Sequence, residues 1–252
     1  MTNKLKYFIG NWKMFGDFAS SKIASKIDNY AKIHKKKNSF KVILCIPNTL
    51  LYFFTNKTKL NRISIGAQNC HPKESYGPHT GSVNSAMLKK AGAQYIILGH
   101  SENRSEGESN DLIKKKVISA TKQKLTVILC IGETLKEKRN GKTFSVLKRQ
   151  LLGCLGKKSN INKILLAYEP VWSIGTNKVP NQNNLVKITK FIKKTSKSIV
   201  KSKKPLTLLY GGSVNPTNIN IFSSIHDIDG FLIGGASQSS NKFIDIIKNY
   251  YK

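Results

Sequence analysis

Short apolar runs recur along the chain, and most of them stop at glycine, proline or a polar residue. Runs of this length without strict alternation are typical of strands that are buried on both faces of a parallel sheet. Eight runs are expected to form strands, at about 8–9, 40–46, 63–68, 95–98, 126–131, 164–168, 206–210 and 231–233.

Between these runs, apolar residues three and four positions apart predict amphipathic helices. Helices are expected at about 18–34, 85–91, 110–121 and 184–200, and a last one holds Phe243, Ile246 and Ile247. Another is expected to run without a break from just after Glu133 to about Leu152. The pattern assigns no helix to residues 47–62, because Pro47 ends the second strand there.

Strands that alternate with helices place the chain in the α/β class. Eight such units in 252 residues, with no linker between them, predict a (β/α)8 TIM barrel. Its eight parallel strands and surrounding helices are expected to form a single domain over 1–252. A doubly wound open sheet is the alternative, but no glycine-rich dinucleotide fingerprint follows the first strand.

The formal net charge of +30 comes almost entirely from lysine, and arginine occurs at four positions only. Arginine is the usual reader of bases and phosphates, and no aromatic residues interleave with the lysines. We therefore expect solvated lysine-rich helix faces that attract small anions, and no specific nucleic-acid partner.

Apolar runs never approach the ~20 residues that span a bilayer, and the N-terminus lacks the features of a signal peptide. The four cysteines have neither metal-binding nor disulfide spacing. A cytoplasmic protein with reduced, packed thiols, no membrane association and no metal site is expected.

The predicted strand at 164–168 ends in Glu169 and Pro170, which an apolar, aperiodic segment follows up to Gly175. Such a segment suits a lid that is solvated when open and buried when shut. Closure would remove water from Glu169 and raise its basicity. A strand end with a packed loop is the equally weighted alternative.

In a barrel, the residues after each strand converge on one rim. These include Asn11, Lys13, His100 and Glu169. Ser213, Gly234 and Gly235 follow the last two strands, where glycine-rich turns hold phosphate in this fold, although they could serve as tight turns alone. A carboxylate, an imidazole and an ammonium together suit proton abstraction next to a carbonyl.

Six motifs stand in order at the strand ends and carry a resemblance over the whole chain. They are Asn11-Trp-Lys13, Gly99-His-Ser-Glu102, Cys130-Ile-Gly-Glu133, Tyr168-Glu-Pro-Val-Trp172 with Ile174-Gly-Thr176, Tyr210-Gly-Gly-Ser213 and Gly234-Gly-Ala236. Through them the chain resembles the triosephosphate isomerases. The resemblance implies a cofactor-free interconversion of dihydroxyacetone phosphate and D-glyceraldehyde 3-phosphate in glycolysis and gluconeogenesis.

The same resemblance implies the role of each site residue. Glu169 would be the base, His100 a neutral electrophile, Lys13 an electrostatic stabiliser, and Asn11 an orienting group. The phosphate would be held by four backbone amides, those of Gly175, Ser213, Gly234 and Gly235. Ser101 would hold Glu169 while the lid is open, and Tyr210 and Ser213 would latch it when closed.

A homodimer is also implied, in which the loop around Thr80 enters the partner subunit. The family commonly pairs a glutamate with an arginine across that interface, and this chain has Ser82 and Asn103 instead. Losing both avoids an unpaired buried charge, which would cost roughly 3–5 kcal/mol. We expect a weaker or differently bonded dimer. Pro180, at the far hinge of the lid, is expected to stiffen its opening or to move the pivot elsewhere.

Two other functions remain open from the residues alone. Another phosphate-binding barrel, such as a sugar-phosphate epimerase, would need a different set of residues and often a metal. A catalytically inactive barrel could act as a basic binding protein.

Overall fold

Eight parallel strands close into a barrel in a computed structural model that describes residues 5–34, 39–157 and 159–252. Each strand pairs with the next, and β1 also pairs with β8, which closes the ring. The strands are β1 Lys6–Asn11, β2 Phe40–Cys45, β3 Ile63–Ala67, β4 Tyr95–Leu98, β5 Thr126–Ile131, β6 Ile164–Tyr168, β7 Thr207–Tyr210 and β8 Gly230–Ile233. The predicted barrel is confirmed.

Helices surround the barrel and cover the outer face of its strands. They are α1 Ser21–His34, α2 Asn48–Asn56, α3 Ser85–Lys90, α4 Ser101–Ser105, α5 Asn110–Lys122, α6 Leu135–Arg139, α7 Thr143–Cys154, α8 Gln182–Ile199 and α9 Ser240–Tyr250. The helices predicted around α1, α3, α5, α8 and α9 begin and end within a few residues of the expected positions.

The continuous helix predicted from Glu133 to Leu152 is wrong, because α6 and α7 divide that segment. Thr134 caps α6 by accepting the amide of Glu137, whose carboxylate accepts the amide of Thr134 in return. The helix ends at Arg139, and Gly141 then takes a left-handed conformation at φ +68° that no helix can continue.

Two further helices were not predicted. The helix α2 begins directly after Pro47, a residue that ends a strand but is also well tolerated at the start of a helix. The helix α4 has only five residues and follows His100. Between β7 and β8 the chain forms a 3₁₀ turn, Ile219–Phe222, in place of a long helix.

Successive strand residues alternate between two apolar layers. Phe8 and Val42, for example, point outward into the layer between the barrel and the helices. Ile9, Ile43 and Leu165 point inward and fill the barrel with their neighbours. The interior of the barrel is therefore packed with side chains.

The basic residues of α8 show where much of the charge lies. Lys187, Lys190, Lys194 and Lys197 are all exposed, and the helix contains no acidic residue. This agrees with lysines on solvated helix faces. All four cysteines are buried and free. In the described ranges, no helix is both long and apolar enough to cross a membrane, and no three potential metal ligands cluster.

Candidate active site

A cavity of about 520 Å³ lies at the carboxyl ends of the strands. All eight residues that the sequence singled out contribute to its lining: Asn11, Lys13, His100, Glu169, Gly175, Ser213, Gly234 and Gly235. The barrel therefore brings together side chains that are more than 150 positions apart in the sequence.

Glu169 is the first residue after β6, and only 3% of its surface is exposed. Its amide donates to the carbonyl of Ile131 at 2.8 Å, which continues the strand pairing by one residue. Its carboxylate accepts the Ser101 amide at 3.3 Å and lies 3.3 Å from Nε2 of His100. Burial raises the pKa of Glu169, while His100, the Ser101 amide, the Cys130 thiol and Lys13 oppose that rise. The result is a carboxylate that binds a proton more readily than an exposed one.

His100 caps the N-terminus of α4, and this contact determines its tautomer. Nδ1 accepts the Glu102 amide at 3.3 Å. The Glu102 carboxylate also lies 3.4 Å from Nδ1, but an amide hydrogen can only donate, so Nδ1 carries no proton. The ring proton is then on Nε2, which faces Glu169. His100 thus directs its Nε2 at Glu169 inside the cavity.

Lys13 has an unusual backbone conformation, with φ at +55°. This left-handed region costs a residue other than glycine roughly 1–2 kcal/mol. The Asn11 side chain supports it by accepting the Lys13 amide at 3.1 Å. The ammonium lies 2.6 Å from Oε1 of Glu102, so the positive charge of Lys13 is shared with a carboxylate before any ligand enters.

The glycines after β7 and β8 line the same cavity, next to Glu169 and Lys13. Gly234 precedes a short 3₁₀ turn, Gly235–Gln238, whose first amides have no partner within the turn. A side chain at Gly235 would meet no atom within 4 Å, so the backbone there is open to a ligand. The Ser213 amide donates to Oγ of Ser173 at 3.2 Å.

The predicted lid segment begins with a 3₁₀ turn, Val171–Ser173. The indole of Trp172 donates to Glu133 at 2.9 Å, and the Tyr168 hydroxyl reaches both carboxylate oxygens of Glu133 at 3.2 Å. Burial raises the pKa of Glu133, and the bonds from Trp172 and Tyr168 oppose that effect. The start of the lid is thereby fixed to a buried carboxylate next to the end of β5.

Ser173 ties the lid to the end of β7. Its hydroxyl donates to the Lys178 carbonyl at 2.5 Å, and therefore accepts from the Tyr210 hydroxyl at 3.1 Å and from the Ser213 amide. The resemblance assigned Tyr210 and Ser213 to a latch for this segment, and both contact it here through Ser173.

Comparison with known proteins identifies the family. The family model described as triosephosphate isomerase matches residues 6–250. The triosephosphate isomerase of Bradyrhizobium diazoefficiens is 38% identical, over 98% of this chain and 99% of its own length. That of Bartonella bacilliformis is 38% identical over the full length of both. A crystal structure of triosephosphate isomerase from Bartonella henselae superposes with a TM-score of 0.88 at 35% identity, covering 98% of this chain and 99% of that one.

The chain belongs to the triosephosphate isomerase family. The sequence singled out Ser82, Asn103 and Pro180 as departures from the pattern of the family. Ser82 is exposed and Asn103 half-buried. Arg104, the neighbouring basic residue, keeps a structural role, because its guanidinium donates to the carbonyls of Gly99 at 2.7 Å and Cys130 at 3.1 Å. Pro180 is buried at the end of the lid segment.

Three charged residues of this triosephosphate isomerase site received no role from the sequence. Glu102 pairs with Lys13, Glu133 holds Trp172, and Lys242 lines the cavity from α9. Glu102 and Glu133 stand inside the motifs that carry the resemblance, so their positions were visible but their contacts were not. Lys242 belongs to no motif, and nothing distinguishes it in sequence from the other lysines of the helices.

Proposed function

We propose that this protein interconverts dihydroxyacetone phosphate and D-glyceraldehyde 3-phosphate, and that Glu169, His100 and Lys13 perform the chemistry. The observation that carries the proposal is the contact between the buried Glu169 carboxylate and the Nε2 of His100 inside the cavity. It places a base of raised proton affinity beside a neutral donor. Membership of the triosephosphate isomerase family supports the same reaction.

In the proposed reaction Glu169 takes a proton from the carbon next to the carbonyl. The electron pair moves to the carbonyl oxygen and forms an enediolate. The Nε2–H of His100 turns from Glu169 to that oxygen, and the Lys13 ammonium stabilises the developing negative charge. Glu169 then returns the proton to the neighbouring carbon, while His100 moves a proton between the two oxygens. A neutral imidazole beside a carboxylate base is the arrangement for which this family serves as a standard example of tuned acid–base groups.

The phosphate is proposed to lie against the amides of Gly175, Gly234, Gly235 and Ser213. The Ser213 amide becomes available only when Ser173 releases it, because the two are hydrogen-bonded here. Phosphate binding and movement of the lid are therefore coupled through one hydrogen-bond exchange. Closure of the lid over the site shields the enediolate from water, a behaviour for which this family is again a standard example. Asn11, which supports the backbone of Lys13, orients the substrate in this proposal.

A coupled assay that consumes dihydroxyacetone phosphate as it forms from D-glyceraldehyde 3-phosphate tests the proposal. The wild type should turn over, and Glu169→Gln should reduce kcat by about 10²–10⁴-fold, because a general base contributes that much. Glu169→Asp keeps the carboxylate but moves it away from the substrate, so kcat should fall by less than in Glu169→Gln. Glu106→Gln, a change at an exposed acid outside the cavity, is the control.

Full activity in Glu169→Gln would refute the assignment of the base. An inactive wild type that binds polyanions would instead favour a basic binding protein on the same barrel.

A homodimer is part of the proposal. Exposed apolar side chains follow β1, β2 and β3: Met14 is fully exposed, and Phe18, Tyr52 and Tyr76 are each about 60% exposed. Large exposed apolar patches on a single chain mark surfaces that pair with another protein. The changes at Ser82 and Asn103 weaken that association. Light scattering over a range of protein concentrations measures the dimer.

We further propose that residues 1–252 form one domain, that the protein acts in the cytoplasm where glycolytic substrates occur, and that it has no specific nucleic-acid partner. The continuous barrel and the match over 6–250 support the first point.

A further inference from the structure

Lys242 occupies a position at the cavity that the family resemblance does not assign. It is the third residue of α9 and lines the cavity together with Gly234 and Gly235. The side chain of Asn249, two turns further along α9, donates to the Pro216 carbonyl at 2.8 Å. This contact holds α9 against the segment after β7, which lines the same part of the cavity.

The charges around the cavity make this lysine distinctive. Its lining contains two lysines, Lys13 and Lys242, and one carboxylate, Glu169. Lys13 is held 2.6 Å from Glu102, so its charge is partly neutralised within the protein. Asp245 is the acidic residue of α9, and its carboxylate lies 3.8 Å from the ammonium of Lys248. Among the described residues, Lys242 forms no ion pair.

A phosphate dianion would therefore meet amides, a lysine already shared with a carboxylate, and Lys242. Backbone amides supply partial charges in fixed directions, whereas an ammonium supplies a whole charge on a flexible arm. Because Lys242 is exposed, its interaction with a phosphate dianion is screened by salt and modest in size. Its effect should depend on the charge of the ligand and should be absent for a ligand without a phosphate.

We propose that Lys242 is a second cation for the phosphate dianion of the ligand, at the end of the cavity formed by the loops after β7 and β8. The inference rests on the proposed function for the identity of the substrate, but binding of phosphate itself does not. Lys242 contributes to capture and retention of the dianion, and takes no part in proton transfer.

The test compares Lys242→Gln with Lys187→Gln, which removes the same charge from an exposed position on α8 outside the cavity. Calorimetric titration with inorganic phosphate gives the Kd for each variant without any turnover. Lys242→Gln should raise this Kd about two- to fivefold at low ionic strength, as an exposed charge pair allows, and Lys187→Gln should leave it nearly unchanged. Lys242→Arg should restore binding.

Kinetics add the second arm of the test. KM for D-glyceraldehyde 3-phosphate should rise by the same factor in Lys242→Gln, whereas the slow reaction of unphosphorylated D-glyceraldehyde should be unaffected. A loss of structure would lower both reactions and would not be rescued by arginine.

Equal shifts of the phosphate Kd in Lys242→Gln and Lys187→Gln would overturn the inference, because a general field would then explain the effect. No shift in either would overturn it as well. Should the wild type bind phosphate through Lys242 but lack isomerase activity, the proposed function fails and the inference about Lys242 stands.

Discussion

Gly132 lies so close to Glu169 that a side chain at position 132 would occupy the place of the Glu169 carbonyl. A Cβ built on Gly132 comes within 1.7 Å of that oxygen. The backbone of β5 and the backbone that carries the proposed base are thus in direct contact. The Gln150 side chain completes the arrangement, donating to the Gly132 carbonyl at 3.0 Å and accepting its amide at 2.8 Å.

Gly132→Ala is therefore expected to displace Glu169. Misplacement of a catalytic group by about 1 Å costs on the order of 10²-fold in rate, so kcat should fall by roughly that factor. Gly156→Ala is the matched control, because a Cβ there would meet no atom within 4 Å and its φ is not positive. Crystallography and the coupled assay on both variants check the prediction, which is wrong if both retain wild-type kcat.

Glu169→Gln should stabilise the fold at neutral pH while removing activity. Burial raises the pKa of Glu169 in the folded state, so folding favours the protonated form, and the ionised carboxylate lowers stability. This loss of stability is absent below the pKa that Glu169 has in the unfolded chain. It is complete above the raised pKa that Glu169 has in the folded protein. The variant should gain roughly 0.5–2 kcal/mol at pH 7–8, the usual range when a strained site residue is relieved.

Thermal unfolding of both proteins across pH measures this difference. The two should converge in acid, where Glu169 is protonated. The same raised pKa predicts that kcat/KM of the wild type declines with falling pH sooner than an ordinary carboxylate would cause. A difference in stability that grows toward acid would contradict the assignment.

Ser173→Ala should disturb the lid more than Tyr210→Phe does. The serine hydroxyl takes part in three hydrogen bonds, with Lys178, Tyr210 and Ser213, whereas the tyrosine hydroxyl contributes one of them. At about 1 kcal/mol for each bond, the serine variant should lose about 2–3 kcal/mol and the tyrosine variant about 1. Denaturant unfolding measures both, and equal losses would show that the Ser173 hydroxyl is not the centre of this network.

The interface prediction calls for a pair of substitutions. Ser82→Glu and Asn103→Arg are each expected to weaken the dimer, because each places a charge without its partner at the interface. Together they should restore the pair that is common in the family, and the double variant should dissociate at a lower concentration than the wild type. Sedimentation or light scattering from nanomolar to micromolar protein gives the four dissociation constants. Strictly additive effects would indicate that positions 82 and 103 do not meet across the interface.

The strands were predictable because each one carries its own boundary signals. The segment 126–131, for instance, is an uninterrupted apolar run before Gly132, and the structure has β5 at Thr126–Ile131. The helix α2 escaped prediction for a related reason. It is short, Asn48–Asn56, and its apolar residues form one consecutive run from Leu50 to Phe54, so little periodicity can be read from it. The preceding proline is compatible with a strand end and with a helix start.

Eight residues that line the cavity were predicted from the sequence, but their contacts were not. Asn11, His100 and Glu169 were found because they directly end or follow strands, and a barrel brings strand ends together. The pairing of Glu102 with Lys13, and the bond from Ser213 to Ser173, depend on side-chain directions that only packing decides. Lys242 was hidden for another reason, since a lysine among many on the helices has no local signal of its own.

The left-handed backbone of Lys13 has one further consequence. Glycine adopts that conformation freely, so Lys13→Gly should make the barrel harder to unfold and, by deleting the ammonium, leave it nearly inert. The same bend that strains Lys13 also places it in the lining of the cavity. At position 13, therefore, a lysine is expected to lower the stability of the fold and to raise its activity.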